Sequence, residues 1–356
     1  MFLDKKTKQN EVFERCFYSL GTLCSIKIFL LKEEITEYNK LEDKMDEILD
    51  GVQNLTQAFD DKFSIFKIDS EVSEINRNSG KRPVKVSGET FFLIKKAVEF
   101  CEISDGGMDI TIGPLSKLWK ESIKNETIPT AARLESAKEL VDFRKIKMYE
   151  GSTSIFLELE GMELDLGSIA KGYCADLVRD YLEKSKIEKG IINLGGNIVV
   201  MGSSEDNTPW KVGIQHPELA REDFLGYLEL EDSSIVTSGD YERYFEKDGK
   251  RLHHIIDPRT SWPSNSEIAS VTVISKSSMD GDGLTTSAFM VGLEKAKEII
   301  NALDSVDCVI VTKDKRIYVS EGIKDNFKIE SKEYKIANNK LKRRFKNEKQ
   351  INDRRN

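Results

Sequence analysis

Leu164-Asp165-Leu166-Gly167-Ser168-Ile169-Ala170-Lys171-Gly172-Tyr173 reads as a strand that ends in a tight turn and opens a helix over residues 169–184. The neighbourhood on both sides mixes the two periodicities. Upstream, Leu41, Met45, Ile48, Leu49, Val52 and Leu55 recur at spacings of three and four, which predicts an amphipathic helix. A second helix follows Ser87 as N-cap and runs through Phe91, Ile94, Val98 and Cys101. A third starts after Pro129-Thr130, with Leu134, Ala137, Leu140 and Val141 on one face. Residues 13–30 read as two strands of a hairpin around a Ser19–Thr22 turn that contains Gly21. Residues 154–160, 191–201, 210–214, 224–230, 268–274 and 308–312 read as strands, and 288–303 as a helix. No steady βαβ alternation links these pieces. The prediction is therefore an α+β fold of mixed, largely antiparallel sheets with flanking helices, not a doubly wound sheet.

Composition sets the outer limits. The 356 residues carry 54 Lys+Arg against 62 Asp+Glu, a net charge of −8, which provides no overall field to gather nucleic acid. The length suits one large domain or two interleaved subdomains, here expected over 13–330. Residues 338–356 differ: eight Lys/Arg and two acids make a basic tail, read as a solvated, disordered terminus or a weak contact for an anionic surface. Cys16, Cys24, Cys101, Cys174 and Cys308 are scattered and odd in number, which predicts buried thiols, not a disulfide framework. Three histidines, none near a cysteine in sequence, argue against a zinc site. The first residues lack the apolar run of a secretory signal, and no stretch is long and apolar enough to span a membrane. The expectation is a cytoplasmic protein.

Four glycine-bearing segments carry candidate chemistry. In residues 164–173, backbone N–H groups at a helix start together with Lys171 suit a phosphate, or the segment is a plain turn with an exposed lysine. In Ile191-Ile192-Asn193-Leu194-Gly195-Gly196-Asn197-Ile198 a strand runs into a glycine pair and continues, which marks a bulge, a turn or the close approach of a ligand. Between Thr237 and Pro263, His253 and His254 are adjacent, so in a strand their side chains point to opposite faces and do not share one metal. One then faces a site, with Asp257, Arg259 and Thr260 nearby. In Met279–Met290, Asp282 and Thr286 are four apart at a helix start and share one helical face. A carboxylate plus a hydroxyl is a donor set that Mg²⁺ accepts when substrate phosphate completes its shell. The bland reading of Asp282 is a favourable charge at a helix N-terminus.

Taken in order, these pieces resemble the ApbE-type flavin transferases, FAD:protein FMN transferases. The resemblance spans roughly Tyr18 to Thr312. It rests on Leu20-Gly21-Thr22, Phe63-Ser64-Ile65-Phe66, Ser70 with Asn76, Asp109 to Leu115, Asp165 to Gly172, Asn193-Leu194-Gly195-Gly196, Thr237 to Tyr241, His254 to Thr260, and Asp282 to Thr286. It implies an FAD cleft between subdomains, with FAD as substrate and Mg²⁺ as the metal. The reaction it implies is passage of FMN to a Ser or Thr hydroxyl of an acceptor protein, with release of AMP. It implies metal ligation by Asp282, Thr286 and a backbone carbonyl near Ala170. It implies an FAD lining of Leu20, Gly21, Thr22, Asn76, Asp109, Thr111, Lys171, Gly195, Gly196, Tyr241 and His254. The acceptor it implies is a flavoprotein with an Asp-containing segment ending in Ala-Thr or Gly-Thr, Ser replacing Thr in some.

The chemistry of the residues agrees with this. Transfer to phosphorus needs in-line positioning and neutralised pyrophosphate charge, to which Lys171 contributes, and a base for the acceptor hydroxyl, for which His254 and Asp257 are the candidates. Tyr173, Tyr241, Tyr244 and Trp262 are candidate stacking partners for isoalloxazine or adenine, with a core role for Trp262 equally open. Departures from the family pattern are Ser261 in place of glycine, Asn197 in place of aspartate, and Gly281 and Gly283 in place of alanine, the last two expected to loosen the metal turn. The leader and lipid-anchor cysteine of exported relatives have no match here. Membrane association is expected only through the acceptor or the basic tail. The competing readings are an FAD pyrophosphatase on the same site, a non-catalytic FAD binder, and an unrelated α+β protein.

Overall fold

The computed structural model describes residues 10–31, 38–204, 206–219 and 223–337. In chain order the elements are β1 (Asn10–Ser19), β2 (Thr22–Leu31), α1 (Tyr38–Phe63), α2 (Glu71–Arg77), β3 (Val84–Lys85), α3 (Gly88–Ile103), α4 (Gly113–Asn125), α5 (Ala131–Lys138), β4 (Ile146–Tyr149), β5 (Ser154–Leu157) and α6 (Ala170–Lys184). They continue as β6 (Gly190–Leu194), β7 (Asn197–Met201), β8 (Trp210–Gln215), β9 (Phe224–Leu230), β10 (Ser233–Gly239), β11 (Tyr244–Lys247), β12 (Lys250–His253), β13 (Ile256–Asp257), β14 (Trp262–Pro263) and β15 (Ile268–Ser275). The last are α7 (Ser278–Val291), α8 (Leu293–Asn301), β16 (Asp307–Thr312), β17 (Arg316–Val319), β18 (Phe327–Ile329) and β19 (Lys335–Ile336).

A nine-stranded sheet, ordered β1-β2-β6-β7-β10-β15-β16-β17-β19, forms the spine. Every pairing in it is antiparallel except β17 with β19. This is the α+β architecture the sequence predicted. Both faces are covered. Trp210, Val212, Leu228 and Phe327 of the small sheet β18-β9-β8 pack with Val200, Val309 and Val311 of the spine on one face. On the other, α1, α3, α6 and α7 pack with Ile26, Ile192, Val273, Cys308 and Ile310. Alternate residues of β16 thus enter opposite cores, so its six residues are all buried. A third, smaller core gathers Leu115, Trp119 and Leu134 from α4 and α5 against Phe245, Leu252 and Ile256.

Local chemistry explains most boundaries. Ser87 and Thr130 cap α3 and α5 by accepting the N–H of Thr90 and Arg133. Four expectations need correction. Residues 164–166 form no strand: only Glu163 bridges Ile112, and Asn76 holds Leu164 through both of its backbone groups. The 191–201 run does not continue through its glycines; it folds back at Gly195 and Gly196, whose φ values of +64° and +93° make the tight turn between β6 and β7. The 288–303 helix is two helices, broken at Gly292 with φ +79°. The third helix ends at Lys138, so Leu140 and Val141 lie beyond it. Helices α2 and α4 had no prediction. Cys24, Cys101, Cys174 and Cys308 are buried and Cys16 is exposed, all as free thiols. The basic tail at 338–356 lies outside the described residues.

Candidate active site

The N-terminal ends of α6 and α7 meet at Gly172. A Cβ there would lie 2.8 Å from Asp282 Cβ and closer still to the Ser278 carbonyl, so only glycine permits this approach. The gap lets the Gly172 N–H donate to Asp282 Oδ2 at 2.9 Å. Asp282 is 4% exposed, and its Oδ1 stands 3.8 Å from Lys171 Nζ. Lys171 also donates to the Gly167 carbonyl at 3.2 Å. A carboxylate this buried needs partners, and the start of α6 supplies an N–H and an ammonium. The other end of the junction is fixed by Asp176 of α6. Its carboxylate accepts the N–H groups of Ser278 and Met279 at 2.8 and 3.0 Å, and the Ser277 hydroxyl at 3.1 Å.

One turn beyond Asp282, Thr285 Oγ1 donates to the Asp282 carbonyl at 2.8 Å and accepts Ser238 Oγ at 2.9 Å. Among the described residues, Thr286 Oγ1 has a single, long contact, with Ser238 Oγ at 3.4 Å. The donors expected from the sequence are hard oxygens, one of them charged: the Asp282 carboxylate and the Thr286 hydroxyl, one turn apart on α7, and the Ala170 carbonyl at the first residue of α6, two positions before Gly172. That set suits Mg²⁺ and not a soft metal. Among the described residues no group of three or more His, Cys, Asp or Glu competes for a metal.

The two tight turns predicted near a ligand lie side by side. Strand β2 pairs with β6, Cys24 opposite Leu194, and a Cβ on Gly195 would lie 2.8 Å from Thr22 Cβ. Leu20 and Gly21 have φ of +54° and +68°, the same primed-turn geometry as the glycine pair. Gly21 and Gly196 have open space beside them.

Three expected cleft residues have their side chains committed inward. Asn76 spends its amide on Leu164. Asp109 accepts the N–H and hydroxyl of Thr111 at 2.7 and 2.6 Å and the Phe143 N–H at 2.9 Å. Thr111 accepts the Asp142 N–H at 2.9 Å. Burial raises the Asp109 pKa, and the Thr111 bonds oppose that. These groups hold the walls in place. Tyr241 is likewise buried, its ring over Gly239, so it offers no face for stacking.

The segment after β12 separates the two candidate bases. Asp257 is held by Arg259, which donates Nε to Oδ1 at 2.8 Å and Nη2 to Oδ2 at 3.0 Å. Both Asp257 oxygens are thus committed to one guanidinium and are not free to receive an acceptor hydroxyl, which disfavours Asp257 as base. His254 is open to solvent, although protein walls crowd it as they do a group in a cleft. Its pKa falls to about 4, first through lost hydration, then through the positive field of Arg243 and Lys171. Its imidazole is therefore neutral at neutral pH.

Two cations in this field were not singled out from sequence. Arg243 reaches the site because its carbonyl accepts the His254 N–H at 3.0 Å. Lys120 stands 3.5 Å from the exposed Phe66 ring, and its pKa is lowered by burial and then by Arg243. Lys120 sits in no glycine-bearing segment, and Arg243, although inside the 237–263 stretch, has no spacing there that marks it as facing the site. Tyr173 packs on Phe59 and Phe92; Trp262 lies against the buried Trp119 at 5.4 Å but is itself exposed, so it is not a core residue.

The ApbE family model matches residues 20–310. An FAD:protein FMN transferase of Klebsiella pneumoniae (strain 342) is 41% identical over 269 residues, covering 76% of this chain and 83% of that protein. One of Treponema pallidum (strain Nichols) is 31% identical over 330 residues, covering 89% of each. Among solved structures, the flavin transferase ApbE from Vibrio cholerae superposes with a TM-score of 0.74 at 27% identity, covering 92% of this chain and 99% of that one. The ApbE protein of Thermotoga maritima gives 0.74 at 29% identity, covering 88% and 98%. Agreement in sequence and fold along most of its length makes this chain a member of the ApbE family and a transferase.

Proposed function

We propose that the protein transfers FMN from FAD to a Ser or Thr hydroxyl of an acceptor protein and releases AMP. One observation carries the reading. Asp282 and Thr286 offer hard oxygens one helical turn apart, and a neutral histidine stands in the positive field of Lys171 and Arg243. The acceptor oxygen attacks the phosphorus that bears the riboflavin chain, the P–O bond to AMP breaks, and the hydroxyl proton passes to His254. Asp282, Thr286 and the Ala170 carbonyl would hold Mg²⁺, which when bound neutralises pyrophosphate charge.

The remaining work belongs to this chain's own groups. Lys171 and Arg243 draw the dianionic pyrophosphate into the cleft. Before binding, their field depresses His254; a bound pyrophosphate offsets that field and makes the imidazole a better base when the substrate is in place. The two primed turns, with Gly21 and Gly196 unobstructed, let backbone approach the flavin nucleotide closely. Because His254 is solvent-open, water competes with the acceptor hydroxyl, and some hydrolysis to FMN and AMP accompanies transfer.

The test incubates protein with FAD and Mg²⁺, with and without a peptide-tagged acceptor carrying a Thr-containing flavinylation segment. AMP is read by chromatography and the acceptor by mass spectrometry. An FMN-sized mass gain with AMP release is expected. AMP and free FMN with an unmodified acceptor would replace transfer by hydrolysis, and bound FAD without AMP would overturn catalysis altogether.

A further inference from the structure

His253 is not among the groups the transfer reaction uses, yet it is 1% exposed and fully engaged. Its Nε2 lies 2.9 Å from the Ser264 carbonyl, and its Nδ1 lies 3.3 Å from the Ile255 N–H. A backbone N–H can only donate and a carbonyl can only accept. Nδ1 must therefore present its lone pair and Nε2 must carry the hydrogen, which fixes one neutral tautomer. A second proton would set Nδ1–H against the Ile255 N–H.

The surroundings enforce that state. Burial lowers the pKa of His253; the Ser264 carbonyl and Asp240 raise it, and Lys313 and Arg251 lower it. Asp240 is itself shared by Arg251 at 3.4 Å and Lys313 at 3.5 Å, so little of its charge is left for the imidazole.

The position of the ring gives this a purpose. Ser264 N–H donates to the Ile255 carbonyl at 2.9 Å, so His253 adds a second cross-tie between the start and end of residues 253–264. Its ring stands edge-on to Phe289 of α7, 6.0 Å between centroids. Phe289 is three residues beyond Thr286 on the same helix. We propose that His253 is a positioning residue that seats the His254-bearing segment on the helix carrying Asp282 and Thr286. It keeps the base and the oxygen donors in one frame. His254 follows it directly in the chain, and opposite-facing side chains put one histidine in the core when the other is in the cleft.

The catalytic arm of the test rests on the flavinyl-transfer reading; the spectroscopic arm does not. With only three histidines, His216, His253 and His254, imidazole ¹⁵N spectra of the full chain are simple to assign. One ring should still be in the Nε2–H form below about pH 6.5, where an ordinary imidazole is mostly protonated, and disappear in His253→Phe. In that variant kcat should fall about 10- to 100-fold while FAD affinity, read by flavin fluorescence, changes less than about threefold. His253→Gln keeps a donor within reach of Ser264 and should recover part of kcat with FAD affinity unchanged. A ring at position 253 that titrates near 6.5, or His253→Phe with wild-type kcat, would overturn the proposal. If His253→Phe does not fold, His253→Gln and the wild-type spectrum decide it. A wild-type protein that releases no AMP would refute flavinyl transfer and leave the tautomer result standing.

Discussion

Gly172→Ala tests the junction on which the site is built. The added methyl would lie 2.7 Å from the Ser278 carbonyl carbon and 2.8 Å from Asp282 Cβ. Unstrained carbon contacts lie near 3.5 Å, so α6 and α7 must part by about 1 Å. The obstructing atoms are backbone and a Cβ, which no rotamer change can move away. Overpacking of this kind costs about 1–3 kcal/mol. Replacing a glycine returns about 1 kcal/mol in a helix interior, and at most that in the first turn where Gly172 lies. Even with that full return, a net loss of about 0–2 kcal/mol remains and is read in urea unfolding, with an unchanged slope. The catalytic loss should be larger in proportion. The same separation lengthens the Gly172 N–H bond to Asp282 Oδ2, now 2.9 Å. A 1 Å displacement of a positioned group costs about 100-fold in rate. AMP release as a function of Mg²⁺ concentration is the assay. Gly88→Ala is the control, because Gly88 has nothing within 4 Å of its added Cβ. Wild-type stability and turnover in Gly172→Ala would refute the close-packed junction as the organiser of the site.

Asp282→Ala should cut Mg²⁺-dependent AMP release by about 1,000-fold or more by removing the charged donor, and half of wild-type activity would exclude Asp282 from the metal site. Ser261→Gly should stabilise: Ser261 holds φ +66° in a buried turn, a conformation costing about 1–2 kcal/mol for a residue with Cβ. Part of that gain is offset by glycine's freedom in the unfolded chain, so a rise of about 1–3 °C in thermal midpoint is expected, and a fall would sink the strain argument. The pH profile follows from the depressed His254 pKa. Its base form is complete above about 4 and is lost below, so the acid limb of kcat/KM for FAD should lie near pH 4. A limb near 6.5 would show that the cationic field does not act on His254.

Much of the site was legible because its chemistry sits on local patterns. Asp282 and Thr286 share a helical face by spacing alone, and adjacent histidines on a strand must diverge. Ser87 and Thr130 announce helix starts by their own side chains. What stayed hidden depends on distant partners. Asp176 caps α7 from another helix about 100 positions away, with no local mark. Asn76 and Asp109 look like ligand-binding polar residues until their inward partners, Leu164 and Phe143, are seen. Lys120 and Arg243 look like surface charges until the fold brings them together. Ser261 shows the converse: the departure from glycine leaves the turn intact and holds it under strain, with its carbonyl accepting Trp119 Nε1 at 2.8 Å.

Helix α7 explains why the departures at Gly281 and Gly283 do not loosen the site. Nearly every residue of this helix is buried, which is unusual for a helix that is not apolar on all sides. It packs against α3, α6, α8, β7, β10 and β15, and so has no solvent face to relax into. A Cβ on Gly283 would lie 2.5 Å from the Phe100 ring of α3, and one on Gly281 would lie 3.0 Å from Ser275 Oγ. The small residues therefore admit large neighbours, and the entropy they cost is offset by contact on every side. Along the same helix, Asp176 holds the N-terminus, Asp282 and Thr286 carry the proposed metal donors, Phe289 supports His253, and Arg259 Nη2 donates to the Met290 carbonyl at 3.2 Å. The proposed metal donors and base come from segments far apart in sequence, and each is referred to this one buried rod. A site assembled that way gains its precision from packing along the length of α7, so substitutions at Gly172, Phe100 or Phe289 should register in catalysis although none touches the substrate.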